Sequence, residues 1–152
     1  MTLSLEEVSD RLEIGQLLAA YAHAVDGQDW PALDALFCSD AVIDLRATGG
    51  PMGGVTEIKT FLARTLPLFA STQHLLGASL VTLDGDRAQA RTSCSNPMAF
   101  AAAEGPGEVW LIGLWYEDAL VRTAEGWRIR HREQELAYVV RDLRNAGLPT
   151  GP

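Results

Sequence analysis

A chain of 152 residues is the length of one ordinary domain and long enough to bury a real core. Its 47% hydrophobic and 21% charged residues are the proportions of a soluble globular protein, and no apolar run approaches the roughly twenty residues that span a bilayer. A formal net charge of −8 argues against nucleic acid and anionic membranes as partners, because both recruit basic faces. Small molecules and other proteins remain.

The opening "MTLSLEEVSDRLE" is acidic and amphipathic, without the basic and apolar blocks of a signal peptide, so a cytoplasmic setting is expected. Ser4 and Glu7 have the spacing of a capping box, and behind them Ile14, Leu17, Leu18, Tyr21 and Val25 recur at helical spacing. This first helix ends near "DGQDWP", with Gly27 suited to the C-cap and Pro31 to the first turn of a short second helix, "WPALDALF". "DAVIDLR" alternates as a first strand. The loop "TGGPMGG" has neither a Walker lysine nor a G-x-G-x-x-G pattern and reads as a flexible turn rather than a phosphate cradle. A third helix covers "VTEIKTFLARTLPLF", with Pro67 ending or kinking it.

After residue 70 strand signals replace helical ones. "QHLLGASLVTLDGDRAQARTSCSNPMAF" reads as two strands around an Asp-Gly turn, and "EVWLIGLWYEDALVRTAEGWRIRHREQELAYVV" as two more around "TAEG". Residues 141–152 read as a frayed tail to a single domain spanning 1–152. Three N-terminal helices followed by an antiparallel meander define an α+β domain, with the helices on one face of a bent sheet. In "VWLIGLWYE" neither strand parity is polar, so the second face should be covered too, most simply by another copy of the chain; a homo-oligomer, dimer or trimer, is expected. Cys38 and Cys94 are too few for a disulfide framework and read as buried small hydrophobes. No metal site is expected, since no His, Asp, Glu or Cys set stands at ligand spacing, and no cofactor is implied.

The stretches "LLAAYAHAVDGQDWPALDALFCSDAVID" and "TQHLLG" resemble the SnoaL-like branch of the NTF2-like superfamily, and the order of elements extends that resemblance over residues 5 to 140. The family fold is a cone of helices on a strongly curved, mostly antiparallel sheet. Its members include scytalone dehydratase, hexachlorocyclohexane dehydrochlorinase and a bile-acid dehydratase. The resemblance implies a pairing of an aspartate at the end of the first helix with a histidine after the third; the matching positions are Asp26 and His74, 48 residues apart. It also implies a proton donor at Tyr21, where the dehydrochlorinase has a lysine that this chain lacks. The implied activity is cofactor-independent acid–base chemistry on a hydrophobic cyclic, steroid-like or polyketide-like molecule, with elimination of water favoured. Isomerisation or polyketide cyclisation in the same pocket is the alternative, as is a non-catalytic module like the β-subunits of ring dioxygenases.

Taken by themselves the residues leave alternatives open. Asp26 before Gly27 fits an ordinary helix-ending turn, His74 a satisfied strand histidine, and Tyr21 a core aromatic. Tyr21 and Asp26 lie about 140° apart on a regular helix, so a shared pocket requires the backbone to deform or the cavity to wrap the helix. Asn96, Trp110, Tyr116 and Arg130 are candidate wall residues that would bind substrate. Asn96 precedes Pro97 and equally suits a bulge, the two aromatics suit core or interface, and Arg130 lies in "RIRHRE", which also fits a solvated salt-bridge strand around His131. His23 falls on the polar side of the first helix and outside the site.

Overall fold

A computed structural model describes residues 2–102 and 107–141 of the chain. The first helix, α1 (Leu5–Asp26), begins at the expected capping box: the Ser4 hydroxyl accepts from the Glu7 amide and the Glu7 carboxylate accepts from the Ser4 amide. Its inward stripe of Ile14, Leu17, Leu18, Tyr21 and Val25 is buried, and His23 is exposed, as the spacing predicts. Gly27 caps the helix but stays right-handed; Gln28 takes the left-handed backbone instead, at φ 52°. The second helix, α2 (Trp30–Asp34), stops three residues before Phe37, where the first strand has already started.

That strand, β1 (Phe37–Asp44), begins earlier than "DAVIDLR" suggests and carries buried Ala41 and Ile43. The glycine-rich loop is not loose. A 3-10 turn over Arg46–Thr48 closes at Gly49, whose φ of 88° suits glycine, and β2 (Met52–Gly53) folds back antiparallel onto β1. The third helix, α3 (Val55–Thr65), ends ahead of a 3-10 turn over Leu66–Leu68, because Pro67 has no N–H to continue the ladder.

Past α3 the chain pairs as β3 (Ser71–Thr72), β4 (Leu75–Asp84), β5 (Arg87–Ala99), β6 (Val109–Thr123) and β7 (Gly126–Arg141). Both expected hairpins form, and each turn carries a glycine at positive φ, Gly85 at 56° and Gly126 at 103°. The sheet runs β2-β1-β7-β6-β5-β3, with β4 also on β5, and the β1–β7 pair is parallel. The fold is therefore α+β with a mixed seven-stranded sheet. Arg141, taken as the start of the tail, is the last residue of β7; residues 142–152 lie outside the described part.

One irregularity sets the inward-facing residues of β7. Leu120 pairs with Ile129 but Ala119 pairs with His131, so Arg130 is an extra residue bulged out of the β6–β7 ladder. Trp127 and Ile129 face the core before it; Arg132 does so after it. On the opposite sheet face, Leu75 and Tyr138 are about half exposed beside the small residues Gly77, Ser93 and Gly113. Cys94 is buried and Cys38 only partly so.

Candidate active site

His74 is not a ladder residue. It falls in the two-residue gap between β3 and β4, and its amide donates to Oδ2 of Asp26 at 2.8 Å. Its ring returns to the same carboxylate, with Nδ1 2.6 Å from Oδ1, and the Thr72 hydroxyl donates to Oδ1 at 3.0 Å. Three donors thus converge on one aspartate at the end of α1. Burial works against the charge on Asp26, but the hydrogen bonds from the His74 ring and amide and from Thr72 outweigh it, holding the carboxyl below its ordinary range. An acceptor-only carboxylate at Nδ1 requires the ring to carry its proton there, which leaves Nε2 as the basic nitrogen.

That ring, 7% exposed, lines a cavity of about 340 Å³. The walls are mostly apolar, with Val25, Leu45, Phe61, Leu66, Met98 and Ile112 among them, and among the described residues no Asp, Glu, Lys or Arg contributes to the lining. Tyr21 also lines it. The helix-angle difficulty resolves without distortion, since α1 continues through Asp26: Tyr21 reaches the cavity directly, while Asp26 reaches it through His74, which arrives from the sheet side. Burial pushes the Tyr21 phenol up, against the pull of Arg132, so the hydroxyl keeps its proton at moderate pH.

Of the four wall residues expected, two stand where a wall residue should. Asn96 lines the cavity with Nδ2 3.1 Å from His74 Nε2. Trp110 lines it too, in an aromatic group with Phe69 and Phe100. Tyr116 does not: it is fully buried behind Tyr21, the rings meeting edge-on at 5.6 Å. Arg130 does not either. It follows inward Ile129 and faces outward, 54% exposed, with Asp40 3.6 Å away.

The arginine under the cavity is Arg132, which the sequence reading did not single out. It is 1% exposed, bonded through Nε and Nη2 to Asp118 at 2.7 Å each, and its guanidinium lies 4.0 Å from the Tyr21 ring centre and 4.2 Å from that of Tyr116. Burial opposes its charge, yet Asp118 keeps the guanidinium firmly protonated. Two aromatic faces on a paired cation fix the Tyr21 ring against the sheet.

At the other end of the cavity, Leu45, Thr48 and Gly49 come from the loop that Asp44 ties down by accepting from the Arg46 amide and guanidinium. Those bonds hold the Asp44 carboxyl down at about 2. The Arg122 side chain, aided by Trp127, likewise lowers Asp10. With Asp10, Asp26 and Asp44 all depressed, the folded chain binds fewer protons than the unfolded one in acid, so stability rises with pH there. The contribution is complete above the ordinary carboxyl value of about 4 and is lost as pH falls toward about 2. Urea midpoints should therefore drop steadily through that window; a flat midpoint would contradict these pairings.

Among the described residues no group of three or more His, Cys, Asp or Glu could hold a metal, and no helix is long and apolar enough to cross a membrane. An α+β chain that brings an Asp–His pair from helix end to sheet beside an apolar cavity is of the NTF2-like kind. It belongs to the SnoaL-like domain family, whose model matches residues 6–133. Protein Rv2910c of Mycobacterium tuberculosis, itself uncharacterised, is 47% identical over 136 residues, covering 90% of this chain and 91% of that one. Among solved structures, Kfla4162 from Kribbella flavida is 27% identical with a TM-score of 0.78, over 88% of this chain and 94% of that one. Hexachlorocyclohexane dehydrochlorinase LinA-type3 from Novosphingobium barchaimii shares the fold at 15% identity, with a TM-score of 0.78 over 97% and 98% of the two chains.

Proposed function

We propose that this protein is a cofactor-independent lyase that removes water from a neutral, hydrophobic, cyclic hydroxy ketone of steroid-like or polyketide-like character. The observation that carries the reading is the 2.6 Å contact between His74 Nδ1 and Asp26, which leaves Nε2 as the unprotonated, basic nitrogen at an apolar cavity. In the reaction Nε2 takes the proton from the carbon next to the carbonyl, and Asp26 steadies the imidazolium that results. The electron pair moves into the carbonyl as an enolate and returns to form the double bond as hydroxide departs. Tyr21 supplies the proton that turns hydroxide into water, and the imidazolium proton then restores the phenol through the shared cavity.

The lining favours this substrate class. A wall with no Asp, Glu, Lys or Arg among the described residues offers nothing to an anionic group, and about 340 Å³ lies at the small end of ligand sites, enough for a compact ring system. The aromatic rings of Phe61, Phe69 and Trp110 suit a flat, apolar body. An open cavity and a short Asp–His contact also speak against a structural subunit, whose interior would be filled, and against a carrier, which needs no tautomer fixed. Isomerisation or ring closure would use the same base on a substrate without a leaving group beside the abstracted proton.

A panel of cyclic β-hydroxy ketones and of their isomers lacking the β-hydroxyl tests the reading. The expected result is enone absorbance with a mass loss of one water from the first set only. Double-bond migration in the second set without dehydration of the first would favour isomerisation, and no turnover or binding of either would overturn the enzyme.

A further inference from the structure

Beside the basic nitrogen of His74 sits a carboxamide with half of its bonding unmet. Asn96 is only 6% exposed; its Nδ2 is 3.1 Å from His74 Nε2, while its Oδ1 is buried with no hydrogen-bond partner among the described residues. A buried acceptor left unpaired in a native fold is costly and calls for an explanation. The chemistry of the pair supplies one. Because Asp26 fixes the ring proton on Nδ1, the neutral ring shows Asn96 a lone pair, and the amino end of the amide is the end that can face it. Once Nε2 is protonated, two donors oppose each other. A half-turn about Cβ–Cγ exchanges nitrogen and oxygen at nearly the same positions and brings the idle Oδ1 onto the new N–H.

We propose that Asn96 is a two-state positioning residue: its amino group holds the neutral imidazole of His74, and its carboxamide half-turns as His74 takes up a proton, so that Oδ1 holds the imidazolium. For its catalytic consequence this rests on His74 being the base, but the rotation itself belongs to the free protein. A hydrogen bond from a charged donor is roughly twice as strong as a neutral one, so the exchange favours proton capture. Asp26 and Tyr21 of α1, Cys94 on β5, Tyr116 on β6 and, deeper, the Arg132–Asp118 pair surround the two side chains. Asp26 stays ionised, the buried tyrosines and Cys94 stay neutral, and Arg132 with Asp118 stays paired, so none of these neighbours changes charge at moderate pH.

The test is an NMR pH titration of the ¹⁵N-labelled full chain, following the ring nitrogens of His74 and the side-chain amide of Asn96. The expected result is a neutral ring with its proton on Nδ1 and Asn96 amide signals that move with the imidazole's own midpoint. Amide signals that ignore that midpoint, or a neutral ring protonated on Nε2, would overturn the proposal. The variant Asn96→Leu separates a rotor from a fixed amide by sign. Losing a rotor removes the stronger bond to the charged ring and lowers the His74 midpoint by roughly half to one pH unit, whereas losing a fixed amino group raises it. If Asn96→Leu does not fold, the wild-type titration decides alone. With a dehydration substrate in hand, a folded Asn96→Leu should lose about tenfold in kcat with KM little changed. A positive titration beside a failed substrate panel would leave the rotor standing and remove only the lyase.

Discussion

His74→Ala should lower kcat on a dehydration substrate by about 10²–10⁴-fold, the usual contribution of a positioned general base, while changing KM little. The reason for expecting a clean loss lies in how the carboxylate is held. Asp26 takes one of its bonds from the backbone amide of residue 74 and another from Thr72, and neither needs the imidazole. The gap between β3 and β4 should keep its path in the variant, and the helix end should keep its anchor. Steady-state rates with a circular-dichroism control measure the two effects separately. A folded His74→Ala protein with full turnover would end the proposed mechanism.

Asp118→Ala should destabilise the protein by about 3–5 kcal/mol, more than a typical substitution, because it strands a guanidinium in the interior. Arg132 is 1% exposed and its two charge-assisted bonds both go to Asp118. Its remaining neighbours are the faces of Tyr21 and Tyr116, which soften a cation's desolvation without replacing a carboxylate. Denaturant melts would show the loss. The double variant Asp118→Leu with Arg132→Met removes both charges at similar volume and should recover much of it, whereas a double variant as weak as the single one would mean the aromatic stacking, not the charge, is what the fold needs. In that recovered protein the Tyr21 ring has lost its cationic backing, so any proton donation from Tyr21 can be examined apart from stability.

The two residues that meet at 2.6 Å were legible as a pair through the resemblance to the SnoaL-like family, while local signals fixed only the elements that carry them: a capping box at Ser4, a glycine after Asp26, a proline closing α3. Nothing local marks Thr72, whose hydroxyl matters only once Asp26 is beside it. Arg130 and Arg132 show where counting fails. From the "TAEG" turn an unbroken ladder would place His131 opposite Asp118; the bulge puts Arg132 there, while Arg130 faces outward by alternation from Ile129 in either case. A bulge leaves no sequence signature in "RIRHRE", so strand parity carried past it puts His131 rather than Arg132 on the inner face. Asn96 was reachable because β5 has no such break, and Ala90, Thr92, Cys94, Asn96 and Met98 face inward without interruption. Tyr116 faces inward as well, yet it stands a layer too deep, a distinction that parity cannot make.

A strand that carries its extra residue upstream of the floor of a binding chamber can lose one codon without disturbing the chemistry downstream. Excising Arg130 would close the ladder and leave Ala119 opposite His131 and Asp118 opposite Arg132, with the guanidinium still on the inner face. Lineages with this architecture can thus gain or lose a residue at this point of the strand with the polarity beneath their ligand unchanged.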